Sequence, residues 1–518
     1  MGNLSKLRIG VGQMRIVQGR ASENDAATDR MIDRAVEAGA DLLVLPGSLR
    51  DRQAARLIGL NDTRIDIEGD AVVVEACGET YRIGMHDSTG PCDFHVLGDA
   101  EPYAIVQPAP SRPASTIRVR PVGMLEEGKN VFAFDGGSAV YGSDGQELAR
   151  LKDDFTEDFA LVTLGERGTS APECEHKPLT AIVSTMRRFD EQVLPWQPKW
   201  IIGLSGGLDS SVVAALLALA FGPERIVAYN MATRFNSSAT KGNAAALARA
   251  LDIPLRNGSI EEQVVALGNT LVQYGYPTDA LGGVVLENVQ ARTRGALLSA
   301  FAALEGGVVV NNGNRVEAAI GYATLYGDAI GALCPIGDLT KVQLFDLART
   351  VNREIGYEVI PENLLPIVTD TGLEWQTMPS AELANGQLDP MKWFYHDWLV
   401  GQLLGDGGPG GAATGAGAEP RGIDEAACEI MQRYLDDRLG GTPAGRWVRY
   451  YGLDDPRVFL DDLEWIVRSM RASAFKRIQA PPTIRIASSA SVHAHPESQT
   501  PVEPSARYLQ LRTRIRAL

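Results

Sequence analysis

Seven residues, Ser205-Gly-Gly-Leu-Asp-Ser-Ser211, have the types and spacing in this chain that point most directly to chemistry. A short β run before them and the apolar run 212–221 after them would set backbone N–H groups and the positive end of a helix around an anion. The side chain of Asp209 can hold a counter-cation there. This is the design of a nucleotide phosphate pocket. The spacing is not that of a Walker loop, which needs a Lys after its second Gly. A Ser-Gly-Gly turn alone is more often only a turn, and Asp209 alone could be a helix cap. The complete run, followed at once by a buried helix, favours binding. The five cysteines, Cys77, Cys92, Cys174, Cys334 and Cys428, are scattered without C-x-x-C pairing, so neither a zinc site nor a disulfide framework is expected.

Such a turn must be carried between a strand and a helix. From about 181 to 360, apolar runs (WIIGL, RIVAYNM, GGVVVNN) alternate with helical segments, the pattern of a doubly wound parallel sheet. Ligands of such sheets sit beyond the carboxyl ends of the strands. The Ser205 turn ends one run, and residues 311–314 end another. The first half opens with a β run at 7–14, helical periodicity at 24–39 and a second β run at 41–45, a β-α-β unit. Strand-like runs follow at 71–76 and 131–134, and 138–151 reads as a hairpin turning at Ser143-Asp144-Gly145. We expect a first domain over 1–165, a linker over 166–190, a second domain over 191–400, a mobile Gly/Ala-rich loop over 401–424 and a helical C-terminal extension over 425–518. A net charge of -16 over 518 residues argues against nucleic acid or an anionic membrane as the main partner. Neither a signal peptide nor an apolar run of about 18 residues is visible, so a soluble cytoplasmic enzyme is expected.

Further patterns accumulate in the second half. They are Met231-Ala-Thr-Arg-Phe-Asn-Ser-Ser238, Glu287-Asn-Val-Gln-Ala-Arg-Thr-Arg294, Gly313-Asn-Arg-Val-Glu317, Gly321-Tyr-Ala-Thr-Leu-Tyr-Gly-Asp328, Pro335-Ile-Gly-Asp-Leu-Thr-Lys341, Pro379-Ser-Ala-Glu-Leu383 and Phe475-Lys-Arg-Ile-Gln-Ala-Pro-Pro482. The Ser205 loop resembles the PP-loop of ATP pyrophosphatases. In order and spacing, residues 190–485 resemble the synthetase half of glutamine-dependent NAD synthetases. The resemblance implies that ATP adenylates the nicotinate carboxylate of deamido-NAD, releasing pyrophosphate, and that ammonia then displaces AMP. It implies ATP binding by Ser205, Gly206, Gly207, Asp209, Ser210, Ser211, Asn312, Lys341 and Ser380. Mg²⁺ would be held by Asp209 and Glu317, with Asp209, Glu317 and Lys341 as the catalytic set. Asn288, Arg292, Tyr322, Thr324, Asp328 and Lys476 would bind the dinucleotide. Taken singly, Glu317 and Arg292 would most often be solvated helix charges, and His396 between Trp393 and Trp398 is read as a packing residue. The chain departs from the family at Arg315-Val316, where Lys-Ser is usual, at Asn312, where Thr is usual, and over residues 384–398, where an acidic closing loop is usual.

The first half, with LRIGVGQM, EAGADLLVLP and the 138–151 hairpin, is similar to the nitrilase-like glutaminase domain of the same family. The fold class implied is a truncated nitrilase-like α-β-β-α sandwich followed by an α/β PP-loop domain. That domain needs a Cys nucleophile, a Glu base and a Lys for the oxyanion. Here Gly47 follows Pro46 where the Glu belongs, the Lys segment is missing, and residues 85–88 (Met-His-Asp-Ser) contain no Cys. Cys92 is a weak substitute, and a packing role is several times more frequent for His86 beside Asp87. The expectation is an inactive glutaminase, free ammonia as nitrogen donor and a homo-oligomer, with no nucleic-acid or membrane partner. An amide ligase acting on another carboxylate and a nucleotide-binding pseudoenzyme are the competing readings.

Overall fold

The computed structural model describes residues 4–51, 53–68, 71–85, 88, 90–104, 115–405, 422–486 and 503–518. The expected Gly/Ala-rich loop lies largely outside them, as do His86 and Asp87. The chain divides into two compact units, Met1–Glu127 with Val131–Phe189, and Asp190–Leu518 with Gly128–Asn130.

The first unit begins as its sequence suggests. Strands Arg8–Gln13 and Leu42–Pro46 pair in parallel, and helix Ala21–Glu37 connects them. Asp158–Thr163 and Ala55–Gly59 flank them antiparallel. Alternation along one strand places its two sets of side chains on opposite faces. Leu42 and Val44 join a core with Ile83, Phe94, Val96 and Ile117 of a seven-stranded sheet. Leu43 and Leu45 pack with Met31 and Ala35 of the helix. The layers are therefore helix, sheet, sheet. The second outer helical layer of the expected α-β-β-α sandwich is absent among the described residues. The reason is local: strands Arg64–Glu68, Ala71–Ala76 and Glu79–Met85 are joined by hairpins. Only eight residues separate the parallel pair Glu79–Met85 and Phe94–Gly98, too few for a helical crossover. The unit is β-rich.

Residues 166–190, expected as a linker, include the start of helix Lys177–Val193. Its Leu179, Ile182, Met186 and Phe189 are buried, an apolar stripe at helical spacing. The two units divide within this helix.

The second unit holds a parallel sheet in the order Leu255–Ser259, Ile226–Ala232, Lys199–Gly203, Gly307–Val309. From Lys199–Gly203 the chain builds two strands to one side. It then returns through helices Glu261–Gln273 and Val284–Glu305 to add Gly307–Val309 on the other side. The order reverses at Lys199–Gly203, and a crevice opens at such a switch point beyond the strand ends. The helical extension is not a separate body. Helices Tyr395–Leu404, Ile423–Leu435, Pro456–Ala472 and Ala506–Arg516 share one core with Val316, Ala319 and Ile320 of helix Arg315–Ile320. No described helix is long and apolar enough to cross a membrane.

Candidate active site

The Ser205 loop leaves the sheet at the switch point, and helix Leu208–Phe221 follows it. Gly206 has φ +87°, and a Cβ there would fall 1.8 Å from the Thr240 carbonyl oxygen, so only glycine lets the two backbones meet. The Ser205 hydroxyl accepts the Gly207 N–H at 3.2 Å and lies 3.1 Å from the Ser210 hydroxyl. Ser210 and Ser211 donate back to the Gly207 carbonyl at 3.2 and 2.8 Å. The hydroxyls thereby tie the loop to its helix, while the first-turn N–H groups have no intrahelical acceptor. An anion-binding helix end results.

Four charged groups gather beside it. The Lys341 ammonium donates to Asp209 Oδ2 at 2.5 Å, and the Asn314 amide donates to Asp209 Oδ1 at 3.4 Å. Asn314 caps helix Arg315–Ile320 in a capping box, its side chain accepting the Glu317 N–H at 3.1 Å while Glu317 Oε2 accepts the Asn314 N–H at 3.2 Å. Asn314 thus touches both carboxylates, Glu317 through its backbone N–H and Asp209 through its side chain. Desolvation, then the Asp209 charge, push the Glu317 carboxyl up to about 8, against the pull of Lys341. Burial and Asp209 likewise push Asp389 up to about 6. Burial alone would lower Lys341, but Asp209, Glu317 and Asp389 together raise it. Lys341 sits on the first turn of helix Lys341–Ile355, where Asp397 accepts its backbone N–H at 2.8 Å and the Phe394 N–H at 2.9 Å. The cluster thus holds more carboxylate than cation. It offers hard oxygen donors, although no three metal-ligating side chains converge on one point among the described residues.

A cavity of about 320 Å³ opens at the strand ends and is lined by Ser205, Asn312, Glu317, Tyr322, Asp328 and Lys476 among others. The Asn312 amide donates to the Gly203 carbonyl at 3.0 Å, leaving its buried Oδ1 without a hydrogen-bond partner among the described residues. That orphan acceptor calls for a ligand donor. Asn288, Arg292 and Thr324 do not line the cavity. Thr324 donates to Asn288 at 2.8 Å and Arg292 to the Leu325 carbonyl at 3.2 Å, so they brace the 321–328 loop from behind. Lys476 holds the same loop from the cavity side through the Gly321 and Ala323 carbonyls at 2.7 and 2.6 Å. Ser380 donates to the Gln387 carbonyl at 2.5 Å, inside the departing 384–398 segment. Arg315 is buried and absent from the cavity wall.

Sequence reasoning passed over several residues that hold this site. Glu382 accepts from Asn236 at 3.0 Å, the Ser237 N–H at 3.3 Å and Thr240 at 2.9 Å, fastening the 380s segment to the helix beneath Gly206. Arg294 reaches the Met231 carbonyl at 3.1 Å and lines the cavity. Asn314 was legible from its Asn-x-x-Glu spacing alone. Asp389 resembles a residue of the family's closing loop but was given no role, and Asp397 carried no local signal. His396 has the packing role expected of it: it is buried, its Nδ1 accepts the Lys392 N–H at 2.9 Å and its Nε2 faces Asp462 at 3.0 Å.

In the first unit, Gly47 closes strand Leu42–Pro46, and its N–H donates to the Ala54 carbonyl at 2.8 Å. A Cβ there would lie 2.6 Å from that of Ala54. Cys92 Sγ is 3.1 Å from His95 Nε2.

Residues 193–397 match the family model described as NAD synthase. A glutamine-dependent NAD(+) synthetase of Synechocystis sp. is 34% identical over 290 residues, 53% of this chain and 48% of that one. An NH(3)-dependent NAD(+) synthetase of Chlorobium phaeobacteroides is 34% identical over 189 residues, 36% of this chain and 60% of that one. The chain spans about half the length of the first of these curated relatives. A solved glutamine-dependent NAD(+) synthetase of Cytophaga hutchinsonii shares the fold with a TM-score of 0.66 over 98% of this chain and 99% of its own, at 14% identity. Residues 193–397 thus match the NAD synthase family model, and over about half of its length the chain is similar to glutamine-dependent NAD(+) synthetases.

Proposed function

We propose that the chain amidates the nicotinate carboxylate of deamido-NAD at the expense of ATP, giving NAD, AMP and pyrophosphate, with free ammonia as nitrogen donor. The observation that carries this is the juxtaposition of the open helix end at Ser205–Ser211 with Asp209, Glu317 and Lys341. Asp209 and Glu317 would hold a magnesium ion, which when bound neutralises triphosphate charge. Lys341 and the first-turn N–H groups of helix Leu208–Phe221 offset the charge that develops on the leaving pyrophosphate. Asn312 Oδ1 accepts a donor from the nucleotide. Tyr322, Asp328 and Lys476 form the wall against which the acceptor lies, while Asn288, Arg292 and Thr324 hold that wall's loop in place. Ser380 sets the turn of the segment that closes beside the phosphates. A second copy of the chain fits the exposed Val265, Leu267, Val272, Tyr274 and Tyr276, which lie on and just after one helix.

Support for an idle glutaminase comes from Gly47. Its tight contact with Ala54 leaves no room for a Glu side chain without moving the loop that follows. Ammonium must lose a proton before it attacks, so turnover should rise with pH and with added ammonium salt. Purified protein with ATP, Mg²⁺ and deamido-NAD is expected to form NAD with ammonium and not with glutamine. Turnover with glutamine alone would refute the nitrogen-source reading, and absence of NAD with either donor would refute the acceptor.

A further inference from the structure

A second cavity, of about 480 Å³, lies in the same unit apart from the one above, and the proposed reaction makes no use of it. It lies among hairpin Ile367–Glu374, residues 378–393 and helix Gly445–Tyr450. Its size is in the range of pockets that hold small molecules. Four aromatic residues, Trp375, Trp393, Tyr450 and Tyr451, stand in its wall together with Asp389.

Three observations show that these groups are held in place. The Tyr450 ring rests on Gly372, where a Cβ would lie 1.9 Å from it. Tyr450 also stands edge-on to Tyr451 at 4.7 Å between ring centres. The Tyr451 hydroxyl donates to the Trp393 carbonyl at 3.2 Å. Trp393 is 4% exposed and the Lys341 ammonium already lies 5.1 Å from its ring centre, so the faces left to a ligand are those of Trp375, Tyr450 and Tyr451. Lys392 belongs to the same wall, but its ammonium is paired with Asp462. Asp389, which also acts on Lys341, is the carboxylate of this wall.

We propose that this cavity binds a planar aromatic cation, of the pyridinium or aryl-ammonium kind, between the Trp and Tyr rings and against Asp389. Aromatic faces attract a desolvated cation, and a nearby carboxylate adds a countercharge. The site is distinct from the nucleotide cavity and does not depend on which carboxylate the enzyme amidates. It stands close enough to the catalytic cluster that Asp389 acts on both Lys341 and Glu317.

Calorimetric titration of the full chain with two matched pairs of probes tests this: 1-methylnicotinamide against nicotinamide, and benzyltrimethylammonium against benzyl alcohol. Each cation is expected to bind at least about tenfold more tightly than its neutral partner. Asp389→Asn should remove that preference. Tyr450→Leu, which touches no group of the nucleotide site, should weaken both cations about tenfold while the variant keeps the wild-type melting profile. Saturating ATP with magnesium should leave the binding in place. Equal affinity for charged and neutral probes, binding unchanged in Tyr450→Leu, or displacement of the cations by ATP would each overturn the proposal.

Discussion

Replacing Glu317 by Gln tests the charge balance of the site through stability alone. The amide keeps the shape of the side chain and can still accept the Asn314 N–H, so the capping box survives. The charge does not. In the folded chain burial and the Asp209 charge push the Glu317 carboxyl from 4.5 up to about 8. Between those values the native state holds a proton that the unfolded state has released, so wild-type stability must fall as pH rises through this window. At about 1.4 kcal/mol per pH unit the upper bound is roughly 5 kcal/mol. Relaxation around a buried charge offsets part of this, leaving a few kcal/mol. Glu317→Gln should therefore match the wild type near pH 5 and exceed it by about 2–4 kcal/mol at pH 9, although its synthetase turnover falls at least about a hundredfold. Magnesium should restore the wild type at pH 9, because a ligand that binds only the native state stabilises it by mass action, and should barely affect the variant. Chemical denaturation across this pH range, with and without magnesium, reads both effects. A variant whose stability falls with pH as steeply as the wild type, or equal rescue of both proteins by magnesium, would refute the reasoning.

Other outcomes follow from the same geometry. Lys341→Met leaves buried carboxylates without their cation and should cost roughly 3–5 kcal/mol, with the loss growing as pH rises; denaturation at pH 5.5 and 8.5 separates this from simple loss of packing. Gly206→Ala drives a methyl group into the Thr240 carbonyl and should abolish ATP binding in a titration, whereas Gly207→Ala, whose methyl group meets only the Ser205 hydroxyl at 3.4 Å on extended backbone, should retain measurable affinity. Glu382→Ala releases three donors at the base of the Ser205 loop and should raise the KM for ATP about tenfold or more while costing roughly 1–3 kcal/mol. Gly47→Glu should destabilise the first unit and leave glutamine inert as a nitrogen donor; glutamine-dependent NAD formation in that variant would show that the glutaminase lacks only its base.

How much of this was legible in the sequence depended on whether a residue's partner was near in the chain. The Ser205 loop could be read because its serines answer to neighbours within six residues, although the need for glycine at 206 comes from Thr240 in another helix. The β-α-β opening and the hairpin at Gly145 could be read for the same reason. Strand Leu255–Ser259 could not: LRNGS has one apolar residue, and pairing with Ile226–Ala232 at the sheet edge makes it a strand. Asp397 was equally hidden, because it gains its role from the Lys341 backbone 56 residues away. The expected outer helix layer of the first unit failed where hairpins replaced crossovers. Asn288, Arg292 and Thr324 show a further limit: which side of the 321–328 loop they hold is decided by packing and not by spacing.

The switch-point order of the second sheet has a consequence for how the protein is made. Asp209 and Lys341, 132 residues apart, can meet only after Gly307–Val309 has docked beside Lys199–Gly203 and carried helix Arg315–Ile320 with it. Contacts of such long range form late, because the loops between them must close first. A nascent or partly unfolded chain therefore offers half an anion site and no carboxylate pair. On the proposed function, an incomplete sheet could not assemble the phosphate site.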